Sequence, residues 1–213
     1  MKFLSSASLL LLGLAGFANC ENGKKFDPEF TAVTCSSVIK LAHSSTGYRL
    51  HSHGVSYGSG SEQQSVTGYQ DADDTNSLWT IHGALNTYCT RGTPIKCGSV
   101  IRLKHLNTGR WLHSHLYRSP LSNQQEVSAF DGSDTGDNWE VRCVDESDEY
   151  WVREKDVRLF HLDTSKYLTS SQHFQFRNPI PGQLEVAATD RTNEQTKWHT
   201  LEGIYFSDNT KTN

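Results

Sequence analysis

Past its first 20 residues the chain has no apolar stretch approaching the roughly 20 residues of a membrane-spanning helix, so no span is expected in the remainder. Basic residues never gather into a stripe: 20 Lys and Arg are scattered among 24 Asp and Glu, which removes nucleic acid as an expected partner. No Asn-x-Ser/Thr triplet occurs, so N-glycosylation is not expected. The chain also lacks G-x-S-x-G, a Walker loop, G-x-G-x-x-G and C-x-x-C. An enzyme needs an activated nucleophile, a paired acid and base, or a phosphate cradle, and none is announced, so neither catalysis nor a cofactor is expected.

What the chain does have is repetition. V-I-K-L-A-H at Val38 to His43 recurs as V-I-R-L-K-H at Val100 to His105 and as D-V-R-L-F-H at Asp156 to His161. Each copy is followed about forty residues later by a lone tryptophan: Trp79, Trp139 and Trp198, spaced 60 and 59 apart. Ile39 and Leu41, Ile101 and Leu103, and Val157 and Leu159 alternate at period two, which is the pattern of half-buried strands. Polar turns follow, then second strands carrying Leu50, Leu112 and Leu168, then third strands near Val66, Val127 and Val186, then a fourth ending on the Trp.

Four short strands in each of three units, with almost no helical periodicity, predict an all-β closed architecture, and three-fold repetition makes it a β-trefoil. One repeat alone cannot bury its apolar face, so residues 34 to 206 are expected to form a single domain. The repeats fall at about 36 to 83, 97 to 143 and 155 to 203, with residues 21 to 33 and a 207 to 213 tail as loosely held ends.

Met1 to Cys20 carries Lys2, an apolar run from Leu9 through Leu14 and on to Phe17, and small residues, the layout of a secretory signal peptide cleaved after Ala18 or Cys20. Cleavage at the second site removes the odd cysteine and Lys2, taking the net charge from -4 to -5. Cys35, Cys89, Cys97 and Cys143 then remain, and four cysteines in a secretory chain allow three pairings. Cys35 and Cys97 precede the opening strands of their repeats, while Cys89 and Cys143 follow the closing Trp. If first and last strands are neighbours, Cys35 pairs with Cys89 and Cys97 with Cys143, which leaves the third repeat without a bridge.

Histidine is the most conspicuous candidate chemistry, with ten in the chain. His43, His105 and His161 occur in every repeat and read as hydrogen-bonded architectural residues. His51 and His53, and His113 and His115, lie two apart on one strand face, a geometry that zinc can use. No Cys or carboxylate stands at recognisable ligand spacing, and the third repeat has Thr169 and Ser171 instead, so no metal is expected. Asp71-Ala72-Asp73-Asp74 and its counterparts read as solvated turns in which Asp caps its own backbone. A binding site that breaks the symmetry would use His51, His53, His113 and His115 with Arg49, Arg110 and Trp111, although such positions can also repeat because they pack. Tyr150-Trp151 is a second candidate, either as an exposed aromatic anchor or as part of a barrel strand.

Longer stretches carry a family resemblance. They are R-L-H-S-H from Arg49, Y-G-S-G-S-E-Q-Q-S-V-T-G from Tyr57, R-G-T-P-I-K-C-G from Arg91, N-T-G-R-W-L-H-S-H from Asn107, S-P-L-S-N-Q-Q-E-V-S-A-F from Ser119 and Y-W-V-R from Tyr150. Over nearly the whole processed chain these resemble the stromal cell-derived factor 2 family. The resemblance implies three MIR motifs folded as a β-trefoil, in a protein of the endoplasmic-reticulum lumen. It also implies work in quality control beside a J-domain co-chaperone and the lumenal heat-shock chaperone, with unfolded or O-mannosylated proteins as clients. A lectin-like module recognising mannosylated proteins is the alternative. Relatives commonly end in an H-D-E-L-like retrieval signal whereas this chain ends Ser207 to Asn213, so lumenal residence and secretion are both expected destinations.

Overall fold

The computed structural model describes Phe26 to Lys211; the expected signal peptide and the last two residues lie outside the described residues. The first repeat supplies β1 (Val38–His43), β2 (Arg49–Ser56), β3 (Gln64–Tyr69) and β4 (Trp79–Gly83). The second supplies β5 (Val100–His105), β6 (Trp111–Arg118), β7 (Gln125–Phe130) and β8 (Trp139–Cys143). The third supplies β9 (Val157–His161), β10 (Lys166–Gln175), β11 (Leu184–Thr189) and β12 (Trp198–Ile204). A short 3-10 turn precedes each tryptophan strand: Thr75–Ser77, Thr135–Asp137 and Glu194–Thr196.

First and fourth strands close a ring, since β1 pairs β4, β4 pairs β5, β5 pairs β8, β8 pairs β9, β9 pairs β12 and β12 returns to β1. The remaining strands form three hairpins, β2 with β3, β6 with β7 and β10 with β11. Strands β3, β7 and β11 pair with one another in a triangle that caps the barrel. Closure leaves the barrel strands no free edge, which suits strands this short. This is the β-trefoil that the repeat spacing predicts. Each hairpin slips register at the same point, between Ser52 and Ser56, Ser114 and Arg118, and Ser170 and Gln175, so the bulge is part of the repeat.

The core is built three times over. Trp79, Trp139 and Trp198 are fully buried, and their indole N–H groups donate to the carbonyls of Leu50, Leu112 and Leu168 at 2.8, 3.0 and 3.1 Å. Each leucine side chain is itself fully buried, so every repeat supplies a large ring, its polar handle satisfied, and the aliphatic group beside it. Disulfides join Cys35 to Cys89 and Cys97 to Cys143, the pairing inferred from neighbouring first and last strands.

Two sequence expectations need correction. Trp151 is not a surface anchor: it is 0% exposed and belongs to the core. Segments 32–34, 94–96 and 150–152 form a small three-way ring of bridges, in which Val33 N–H donates to Trp151 O, Trp151 N–H to Ile95 O and Ile95 N–H to Val33 O. Val33, Ile95 and Trp151 are therefore equivalent and share one hydrophobic cluster. Tyr150, half-buried, takes the Lys96 ammonium over its ring at 5.7 Å. The ends are also tied down within the described residues. Val33 is fully buried, and Asp208 is buried with its N–H donating to Glu29 O at 2.7 Å, while Asn209 N–H donates to Gly92 O at 3.0 Å. Polarity at these ends hid backbone groups that are paired.

Candidate functional site

The architectural histidines close the junctions between repeats. His43 Nε2 lies 2.9 Å from Gln195 O, His105 Nε2 2.8 Å from Asn76 O and His161 Nε2 2.9 Å from Gly136 O, each carbonyl belonging to a 3-10 turn. A carbonyl only accepts, so Nε2 carries the proton and Nδ1 accepts from Thr46, Thr108 or Thr164 three residues on. Each ring also packs against the tryptophan of a neighbouring strand at 4.8 to 4.9 Å between centroids. Burial, only partly opposed by the carbonyl hydrogen bond, pushes all three below the ordinary imidazole value. Both nitrogens are engaged, so these groups have no free edge for chemistry.

The symmetry-breaking histidines meet carboxylates that sequence spacing did not reveal. His51 Nδ1 is 2.7 Å from Asp74 Oδ2, and His113 Nδ1 is 3.0 Å from Asp137 Oδ1. The carboxylates come from the 3-10 turns: Asp74 caps its turn through Asn76 N–H, and Asp134 and Asp137 form a reciprocal capping box. In the third repeat the cap is the neutral Asn193 with Thr196, and the position of the imidazole is held by Thr169, whose hydroxyl donates to Gln195 O at 2.9 Å. Imidazole and carboxylate are lost together, which marks them as one unit. The expected self-capping of the Asp-rich turns is thus part of the same unit. Burial lowers the His51 value against the pull of Asp74. Burial alone would raise Asp74, but bonds from Ser77, His51 and Asn76 hold it below the usual carboxylate range. His113, Asp134 and Asp137 have donor atoms within 4.8 Å of one another, a proximity that the capping box and the His113 hydrogen bond account for.

The other candidates are engaged in packing. His53 accepts from Val55 N–H at 3.1 Å and reaches Gln183 Oε1 at 3.3 Å, while His115 Nε2–H donates to the buried Glu126 at 3.0 Å. Arg49 reaches Gln70 O at 3.2 Å and Glu202 at 3.4 Å, and Arg110 stands 3.6 Å from Asp131. Trp111 offers no open platform, because Arg102 at 4.1 Å, Lys104 at 4.9 Å and His82 at 5.1 Å crowd its ring. The two histidine pairs stay with their own repeats and do not converge on one site.

An open cleft of about 350 Å³ lies where the second and third repeats meet, lined by His113, His115, Leu116, Asp134, Asp163 and Thr164 among others. The equivalent cleft between the third and first repeats is smaller, about 160 Å³, and is lined by Ser45, Gln172, His173 and Gln195 without a carboxylate. Asp134 was read in the sequence only as part of a solvated turn, and Asp163 and Leu116 were not binding candidates. The available signal was Leu116-Tyr117, which stands where the other repeats have Gly54-Val55 and Gln172-His173.

Comparison with known proteins agrees with this geometry. The MIR domain model matches residues 49–172. A stromal cell-derived factor 2-like protein of Dictyostelium discoideum is 51% identical, over 85% of this chain and 88% of that protein. Among solved structures, the SDF2-like protein from Arabidopsis thaliana superimposes with a TM-score of 0.80 at 42% identity, covering 84% of this chain and 99% of that one. A chain of the S. cerevisiae protein O-mannosyltransferase complex bound to the sugar donor superimposes at 0.73 with 29% identity, covering 87% of this chain and 27% of that one. The three-fold core, its MIR match and these relatives lead to one conclusion: the chain is a MIR-domain β-trefoil that belongs to the stromal cell-derived factor 2 family.

Proposed function

We propose that the protein is a non-enzymatic accessory subunit of a chaperone complex in the endoplasmic-reticulum lumen, where it docks a J-domain co-chaperone and, through it, the lumenal heat-shock chaperone. Kinship with the stromal cell-derived factor 2 family carries the reading. Two disulfides closing the first and second repeats fit an oxidising compartment. The histidines that could have served acid-base chemistry are bonded to carbonyls, threonines and capping carboxylates, which favours a scaffold over a catalyst.

The expected result of a native pull-down from lumenal extract is stable co-purification of a J-domain protein. Its absence, with saturable binding to a mannosylated glycan array, would support the lectin-like alternative instead. That alternative draws on the 29% identity to a chain of the O-mannosyltransferase complex. Secretion in place of lumenal residence would show as accumulation of the protein in culture medium.

A further inference from the structure

The β6 and β7 hairpin of the second repeat is the most apolar exposed surface of the cap. Leu116 is 84% exposed, Tyr117 53% and Leu121 40%. The other repeats have Gly54-Val55 and Gln172-His173 where the second has Leu116-Tyr117, so the three-fold architecture does not require two large apolar groups here. Tyr117 packs edge-on against His115 at 4.9 Å and, with Leu116, Arg118 and Lys166, lines a smaller cleft that adjoins the cleft of about 350 Å³ through Leu116.

The chemistry of the larger cleft is one-sided. Its lining includes the exposed Asp134 and Asp163 and no Lys or Arg. The lining side chains that could donate are already committed: His113 Nδ1–H to Asp137, His115 Nε2–H to Glu126, Ser114 to Glu126 O, Thr135 to Asp163 and Thr164 to His161. In the neutral ring, His113 Nε2 remains an acceptor. A saccharide hydroxyl both donates and accepts and is best held by a mixture of partners, whereas an ammonium or guanidinium group only donates. Acceptors without free donors, carrying net negative charge, therefore select a cation. The strand beside them favours a polypeptide: β6 is covered at His113 and Ser114 by the 135–137 turn, but beyond that its outer edge meets no other strand among the described residues.

We propose that this cleft docks an extended polypeptide, seating a lysine or arginine side chain against Asp134 and Asp163 while neighbouring apolar residues lie on Leu116 and Tyr117. The proposal deepens the chaperone-accessory reading and rests on it for the class of ligand. It is tested without any co-chaperone, so its failure leaves the pull-down result standing, and the reverse also holds.

The experiment is fluorescence anisotropy with the whole protein and a labelled nonapeptide carrying a central Arg flanked by leucines, beside matched peptides with Arg→Gln or with the leucines replaced by serine. Asp134→Asn with Asp163→Asn, and Leu116→Ser with Tyr117→Ser, should each weaken binding roughly tenfold or more. Added salt should weaken the Arg peptide but not the Arg→Gln peptide. Asn retains the N-cap at residue 134 and the other positions are exposed, so both double variants should melt with the parent protein. Gln172→Ala with His173→Ala, at the equivalent place in the third repeat, should bind as the parent does. No saturable binding by the parent protein, or equal affinity for the Arg and Arg→Gln peptides, overturns the proposal. So does binding of a mannose oligosaccharide that the same carboxylate variants abolish.

Discussion

Each of His43, His105 and His161 must stay neutral to keep its place, since Nδ1 has to accept from a threonine hydroxyl while Nε2–H donates to a carbonyl. Burial, partly offset by the carbonyl, lowers their folded values below the reference of 6.5. The unfolded chain therefore binds more protons once pH falls below that reference, and stability drops as pH falls from 6.5 toward the folded values. Each group adds a slope of at most about 1.4 kcal/mol per pH unit in that window. His161→Gln should cost about 2 to 4 kcal/mol at pH 7.5 through lost hydrogen bonds and ring packing. It should also show a shallower loss of stability in urea titrations at pH 5.5; identical slopes for the two proteins would contradict the account. That these histidines are structural was legible from their occurrence in all three repeats. The partners of His51 and His113 were not, because Asp74 lies 23 residues and Asp137 24 residues along the chain, beyond any local ligand spacing.

At the scale of elements, first and last strands of a repeat are held together in two ways. The disulfides do it in the first and second repeats, across 54 and 46 residues. The third repeat, which has no cysteine pair, stacks the Arg153 guanidinium between Phe26 at 3.8 Å and Tyr205 at 3.7 Å. Arg153 occupies the place of Cys35 and Cys97, two residues after Trp151 as they are after Val33 and Ile95. Loop-closure entropy puts the cost of removing either bridge at ~4 kcal/mol, whereas a partly desolvated two-faced cation-π stack contributes ~2 kcal/mol. Denaturant titration should rank Cys97→Ala with Cys143→Ala as more destabilising than Arg153→Ala, with Arg153→Lys between Arg153→Ala and the parent, because an ammonium keeps the charge but not the planar stack. Equal midpoints for Arg153→Ala and the parent would show the clamp to be idle. Cysteine positions made the bridges readable in advance. The clamp was hidden because Phe26 lies 127 residues before Arg153 and Tyr205 lies 52 after it, and the three share no motif.

For the whole molecule, closure is the source of cooperativity. A fragment ending at Cys143 would keep the first and second repeats but remove β9 and β12, leaving β8 and β1 without the partners that complete the ring. It would also lack Trp151, which bonds to Val33 and Ile95 across the barrel end. Such a fragment should show no cooperative thermal transition by circular dichroism, and a sharp transition would mean that the repeats are more autonomous than the shared core implies. Strand number, the three-fold plan and the buried Trp and Leu sets were determined by the sequence alone, while the disulfide pairing followed from it only on the condition that first and last strands are neighbours. Period-two alternation and exact recurrence are local signals that survive without coordinates. Only the tertiary structure decided that Trp151 is core, that His51 and His113 are tied to capping carboxylates, and that Asp134, Asp163 and Leu116 border one cleft. The histidine-carboxylate contacts join a strand to a distant turn of the same repeat, and the other facts depend on how neighbouring repeats are laid together, pairings fixed by barrel closure and not by the order of residues along any one segment.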